Sequence, residues 1–281
     1  MDENALTLLK SIYVDSTFSQ CRNLFSRIDF LTSYFLSKPY LVNPQGEGEN
    51  AEIDSAPLYR LDGFDCVTYV NTVLALALSH DEHSFLRALL KINYYDATPL
   101  FQNRFHFMSV DWNPQNQKNS ILRDITKTIV DEKNKPIYRL AEGEIDRPGW
   151  FLKRAEKADS LRAAALRKMA VAAKKEFAAL PYLPLATLFD ENQLPPENYF
   201  AQFPSVCVLE IVRPNWQLSD KIGTNLHVSH VGFAIRKPSG ELFFRHASSE
   251  QKCVVEIRLS DYLRHYLDSL TIKGIHLEAI F

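Results

Sequence analysis

The sequence predicts an α+β fold, with an early helix that begins at a cysteine and a late antiparallel sheet that carries two histidines. Three observations predict it. After Asp65, Val67, Val70, Val73, Leu74 and Ala77 recur at three- and four-residue steps, the period of a helix with one buried face. From Ser205 onward, the runs 206–212, 228–236, 241–247 and 254–259 are rich in β-branched and aromatic residues, as strands are. Between the second and third runs, Pro238-Ser239-Gly240 suits a three-residue hairpin loop, opened by proline and closed by a left-handed glycine.

In chain order, residues 4–38 carry two helical patterns, Leu6/Leu9/Ile12 and Phe25/Ile28/Leu31/Phe35, which stop before Pro39. Residues 40–62, with Pro44, Gly46, Gly48 and several acidic side chains, read as loop. The cysteine helix runs from Asp65, a good N-cap, to about Leu78. A polar His80-Asp81-Glu82-His83 connection and a helix over 82–92 follow. His80 and His83 have no third ligand candidate nearby, so the spacing does not call for a metal. Between 101 and 130, Phe101, Arg104, Phe105, His106, Phe107, Trp112, Asn113 and Asn116 mix flat apolar faces with directed polar groups. That mixture suits a polar-ligand groove or, equally, an amphipathic edge of the core. Residues 120–129 continue as a strand or a short helix.

The stretch 150–180 is rich in alanine, leucine, lysine and arginine, and is helical by propensity. Glu156, Asp159 and Glu176 interrupt its basic residues, which favours a solvated face over a nucleic-acid surface. Pro181, Pro184, Pro195 and Pro196 then mark a loop region. A helix over 259–270 and a strand over 272–281 close the chain.

Composition excludes several classes of function. The 281 residues are 46% hydrophobic, enough for a sizeable core. With 32 basic against 34 acidic side chains, no whole-protein field attracts nucleic acid or a membrane. Cys21, Cys66, Cys207 and Cys253 lie far apart, which signals neither a zinc ribbon nor a disulfide framework. Cys207 and Cys253 fall in apolar runs and read as core residues. No apolar run is long enough to span a bilayer. The Met-Asp-Glu-Asn start is acidic where a secretory signal would be basic. The expected location is therefore the periplasm or cell envelope if a signal has been removed, and otherwise the cytoplasm or export by another route.

Cys66 falls at the first helical position, where unpaired N–H groups and the helix dipole favour a thiolate. The alternative for a lone cysteine is a small core side chain. The histidines bear on that choice. With Lys237 opposite Glu241, His230 faces Ser248 and His246 faces Gly232. His230 and His246 then share one face as diagonal neighbours, roughly 7–8 Å apart at Cα, close enough for the imidazoles to meet. Gly232 leaves room beside His246, whereas His227 points to the opposite face.

The chemistry that fits is attack by a thiolate on an amide carbonyl. A helix mouth and an imidazolium can bring a thiol pKa down to roughly 3.5–7.5. His230 would hold the thiol's proton and later give it to the leaving amine, and His246 would orient His230. The Cys66 backbone N–H, with the Tyr59 hydroxyl as a further candidate, would face the developing oxyanion. No cofactor and no metal are required.

Phe64-Asp65-Cys66, the segment Ser229-His230-Val231-Gly232-Phe233-Ala234-Ile235 and His246-Ala247-Ser248 resemble the three blocks of the NlpC-type cell-wall cysteine peptidases and amidases. The resemblance implies a papain-like core with extra helices at the N-terminus and in mid-chain. Asp65-Cys66-Val67-Thr68-Tyr69-Val70, Arg104-Phe105-His106, Trp112, Asn116, Asp124-Ile125-Thr126 and Leu180-Pro181-Tyr182-Leu183-Pro184 resemble one branch, the bacterial N-acetylmuramoyl-L-alanine amidase-like family. These blocks cover most of residues 55–255. The implied substrate is a muropeptide or other peptidoglycan fragment, cut between N-acetylmuramic acid and L-alanine. The implied nucleophile is Cys66, with His230 as base and His246 as orienter, while Arg104, His106, Trp112 and Asn116 line the groove. Asn71 departs from the acidic residue expected after the cysteine.

The expected organisation is one catalytic domain over 1–281: N-terminal helices and loop (1–60), cysteine helix and groove (61–130), helical insertion and proline-rich loop (131–200), and C-terminal sheet with the histidines (201–281). A stem-peptide endopeptidase, an acyltransferase, or a fragment-binding protein without turnover are the alternatives on the same residues.

Overall fold

The computed structural model describes residues 3–190, 192 and 197–281. Pro195 and Pro196, read above as loop, and the Met1-Asp2 start lie outside the described residues. The fold is α+β, built on an antiparallel sheet. Its strands are β1 (Leu122–Asp124), β2 (Arg139–Asp146), β3 (Lys175–Pro184), β4 (Val206–Trp216), β5 (Leu226–Arg236), β6 (Leu242–Ser248), β7 (Cys253–Arg258) and β8 (Gly274–Ile280). They lie in the order β2-β3-β8-β4-β5-β6-β7, with β1 also paired to β8.

Alternation along the central strands assigns each face. Val208, Val231, Phe233, Ile235 and Ala247 pack with the N-terminal helices in one core. Cys207, Leu209, Ile211, Ala234, Leu242 and Phe244 point the other way, into a second core closed by the late helix Leu259–Arg264. The cysteine helix spans Cys66–Ala77, and every residue from Thr68 to Ala77 is buried. Each large aliphatic side chain so buried, such as Val70, Val73 or Leu74, stabilises the fold by about 1.5–3 kcal/mol. Tyr69 meets Phe233 edge-on, with ring centroids 5.9 Å apart, which sets the helix against β5. Arg245 on β6 ties the sheet to the helix Leu24–Tyr34, donating to Asp29 Oδ1 at 2.7 Å and Thr32 Oγ1 at 2.6 Å.

The hairpin forms as the sequence predicts. Gly240 N–H donates to Lys237 O at 2.9 Å, Lys237 N–H donates to Glu241 O at 2.8 Å, and Gly240 has φ +89°. The resulting register pairs Phe233 with Arg245 and Ala234 with Phe244.

The stretch 150–180 departs from its helical expectation. Helices occupy Arg147–Ala155 and Ser160–Ala172, but Lys175–Pro184 is strand, and so is Arg139–Asp146 before it. Ala178 and Leu180 are buried on β3, which pairs with β2 along its length and with β8 at its end. Alanine and lysine favour helix locally, and strand pairing in the assembled sheet overrides them. Residues 120–129 contain both candidates, strand Leu122–Asp124 and a short helical turn Thr126–Thr128. The late helix is shorter than the periodicity suggests and ends at Arg264. No described helix is long and apolar enough to cross a membrane.

Candidate active site

The site begins with the cap on the cysteine helix. Asp65 Oδ1 accepts the Thr68 N–H at 2.8 Å, and Thr68 Oγ1 accepts the Asp65 N–H at 3.0 Å, a reciprocal capping box. Capping fixes Cys66 at the first helical position, partly exposed, on the wall of a cavity of about 300 Å³. Amide N–H groups of Val231, Val67 and Cys66 itself face the sulfur and favour its anion. Burial and the Asp65 carboxylate outweigh them, and the thiol is pushed up to about 12. The expectation of a standing thiolate is thereby reversed: desolvation penalises an isolated anion more than the helix mouth rewards it.

His230 lines the same cavity as Cys66. Its Nε2 lies 2.7 Å from His246 Nδ1, the rings meeting edge to face with centroids 4.7 Å apart. Burial holds His230 down to about 4, and burial with the neighbouring imidazole holds His246 to about 3. Both rings are therefore neutral at pH 7. One hydrogen links the pair, and His230 Nδ1 remains as the nitrogen not engaged by His246. With the proton on His230 Nε2, Nδ1 is an acceptor, as a base towards a thiol must be. His246 then carries its own proton on Nε2, which is buried without a hydrogen-bond partner among the described residues. Phe244 stacks on His246 at 4.6 Å and Tyr262 packs at 5.2 Å, holding the ring.

The other expected residues divide into two groups. Arg104 and His106 line the cavity. Arg104 is held by Glu47, Nε to Oε1 at 2.6 Å, and by Asp54, Nη2 to Oδ2 at 3.1 Å. His106 donates from Nε2 to Phe101 O at 2.7 Å and packs against Trp150. Burial and Arg104 keep its pKa well below the ordinary value, so it too is neutral.

Trp112 and Asn116, expected in the groove, are instead buried beneath it, 1% and 0% exposed. Aromatic–amide composition does not distinguish a groove wall from the layer under it. Trp112 Nε1 donates to Asn71 Oδ1 at 2.8 Å, and Asn116 Nδ2 donates to Ile92 O and Trp112 O. Tyr59 is buried against Phe85, with ring centroids 5.2 Å apart, and is not among the cavity-lining residues.

Asn71 acquires a reason. Its oxygen accepts from Trp112 while its nitrogen donates to Asn93 Oδ1, and it lines the cavity. A carboxylate could accept but not donate, and would face the Asn93 oxygen. His227 lies 3.4 Å from Ser109 Oγ and lines the same cavity as His230, not the opposite face that strict alternation predicts, because the pairing of β5 with β4 shifts register between Val228 and His230. Asn43, Gln45, Asn93 and Ser229 complete much of the polar wall. Nothing in the sequence distinguishes Asn43 and Gln45 from ordinary loop residues, because their place follows from how the 40–62 loop folds back.

Fold and site together define an α+β protein in which a helix-mouth thiol and an imidazole from a histidine pair open onto one cleft. The chain belongs to the AmiA-like family, described as N-acetylmuramoyl-L-alanine amidase-like, which matches residues 30–270. It is 39% identical to a solved protein of Legionella pneumophila str. Philadelphia 1, with TM-score 0.94, covering 100% of this chain and 95% of that one. An N-acetylmuramoyl-L-alanine amidase from Bacteroides uniformis is similar in fold. One crystal of it gives 21% identity and TM-score 0.60, covering 92% of this chain and 99% of that one. Another gives 22% and 0.62, covering 92% and 98%. No curated protein matches the sequence.

Proposed function

We propose that the protein is a cysteine amidase that hydrolyses the bond between N-acetylmuramic acid and L-alanine in peptidoglycan fragments, on a papain-like core of the NlpC type. The observation that carries this reading is the Cys66 thiol sharing a cavity with His230, whose ring is bonded to His246 at 2.7 Å. Family membership supplies the substrate class.

In the first step the Cys66 proton passes to His230 Nδ1 as the sulfur attacks the amide carbonyl carbon. The imidazolium so formed keeps its Nε2–H directed at His246 Nδ1. Charge on the carbonyl oxygen is met by the Cys66 backbone N–H at the helix mouth. The C–N bond breaks, His230 gives its proton to the nitrogen of L-alanine, and a muramoyl thioester remains. Water then attacks the thioester with His230 again as base, releasing the acid and restoring the thiol.

The neutral resting pair suits this sequence, because proton transfer to His230 is coupled to sulfur attack and the negative charge passes to the carbonyl oxygen without a free thiolate standing in the desolvated site. In the cell, the enzyme would meet such fragments in the envelope if a leader is removed, or in the cytoplasm if they are imported. Mass spectrometry of a peptidoglycan digest tests the reading. The expected products are peptides beginning with free L-alanine. Release of shortened stem peptides still attached to the sugar would replace amidase with endopeptidase.

A further inference from the structure

A second cavity, about 480 Å³, adjoins the first and shares Ser229 and His230 with it. It contains His246, Arg213, Tyr262 and Tyr266 but not Cys66. Because His230 must hand its proton to the departing amine, the departing half of the substrate lies on the His230 side of the sulfur. The second cavity meets the first across Ser229 and His230, which line both, and is the space open to that half.

Arg213 is the unusual group there. It donates from Nη1 to Thr271 Oγ1 at 2.9 Å, and its guanidinium lies 4.6 Å from the Trp216 ring centroid. Its Nε is buried with no hydrogen-bond partner among the described residues. Arg104, Arg147 and Arg245, by contrast, each hold two carboxylates. Glu250 and Asp261 also line the second cavity, but Asp261 is engaged by Arg264 at 2.8 Å. Arg213 stands two residues along β4 from Ile211, the cross-strand partner of His230. That is roughly 7 Å of strand, the span of about two extended residues.

We propose that Arg213 binds a carboxylate of the departing peptide, one or two residues beyond the scissile nitrogen, and so selects anionic stems. The inference rests on the amidase reading for its orientation. A guanidinium on a cavity wall, held by a hydroxyl and an aromatic face and by no carboxylate among the described residues, is suited to a ligand carboxylate. Tyr262 and Tyr266, with centroids 5.2 Å apart, supply the apolar wall for the intervening chain.

The test compares N-acetylmuramoyl-L-alanyl-D-glutamate as the free diacid and as the diamide. Wild-type protein should show a KM for the diacid roughly ten- to hundredfold below that for the diamide, the range of a charge-assisted hydrogen bond. Arg213→Gln should erase that difference, and Arg213→Lys, which keeps charge without the fork, should retain part of it. Undiminished discrimination in Arg213→Gln, or none in wild type, overturns the proposal. A second arm needs no turnover: calorimetry of the free L-alanyl-D-glutamate dipeptide on the Cys66→Ala protein, with and without Arg213→Gln. Arg213-dependent binding in that arm, together with a wild-type protein that cleaves no muramoyl peptide, keeps the carboxylate site and removes the amidase. Cleavage with no Arg213-dependent binding or discrimination keeps the amidase and removes the site.

Discussion

Substituting Gly232 by alanine should damage the histidine pair without touching either histidine. A Cβ at that position would lie 2.6 Å from Arg245 O, 2.7 Å from Phe244 Cε2 and 2.8 Å from His246 Cβ. The first of these is main chain, so rotamer adjustment cannot relieve it, and β6 has to move away from β5 by roughly 0.5–1 Å to restore ordinary contact. A shift of that size stretches the 2.7 Å bond between His230 and His246 to about 3.2–3.7 Å, the edge of hydrogen-bond length or beyond it. Overpacking costs about 1–3 kcal/mol, and loss of the bond about 1 kcal/mol more. At roughly 2–4 °C per kcal/mol for a chain near this size, melting should fall by about 4–16 °C. Hydrolysis of a muramoyl peptide should fall at least tenfold, because His230 loses the partner that fixes its tautomer. Gly240→Ala is the control: it strains a φ of +89° but meets nothing within 4 Å, so it should cost about 1 kcal/mol and leave turnover unchanged. A Gly232→Ala protein that melts and turns over as wild type would refute the proposed coupling of strand spacing to the imidazole pair.

Cys66→Ala should abolish hydrolysis while circular dichroism and melting stay near wild type, since it removes a single sulfur from a side chain at the cavity wall and leaves the Asp65–Thr68 cap in place. His230→Ala should be the more severe of the two histidine variants, losing roughly 10²–10⁴ in rate, with His246→Ala intermediate. Equal, negligible losses would mean that the base has been misassigned. Because burial holds His230 at about 4, activity should persist from neutrality down to about pH 4, where protonation removes the base, and not decline near 6.5. The sign for stability is the same: between roughly 3 and 6.5 the unfolded chain takes up protons that buried His230 and His246 refuse, so their contribution falls as pH falls through that window. His276 acts oppositely. Glu278 and Glu210 raise it to about 9 against the cost of burial, so its stabilisation is lost as pH rises from 6.5 through 9. Urea midpoints of wild type, His230→Gln and His276→Gln across pH 4–10 would separate the two.

Local chemistry made parts of this architecture readable in advance. Asp65 before an apolar run dictates a capped helix, and the cap places Cys66 at its first position whatever the rest of the chain does. Pro238-Ser239-Gly240 fixes a loop length, and strand periodicity then puts His230 and His246 on one face. Both are short-range constraints, settled by a few neighbouring residues.

Other features depend on what lies across the fold. Lys175–Pro184 becomes strand because β2 and β8 supply hydrogen bonds that its alanines do not predict. Trp112 and Asn116 lie under the cleft and not on it, a matter of depth that composition cannot encode. The thiol's pKa rises because burial, a property of the assembled interior, opposes the charge that the helix start would favour. Arg213 reaches the space beyond His230 because β4 runs beside β5, a pairing between residues far apart in number. By itself the sequence determined the capped helix, the hairpin register and the identity of the three candidate groups. Only tertiary packing decided their depth, their charge state and the cavities between them, because desolvation and long-range strand pairing arise from the whole chain.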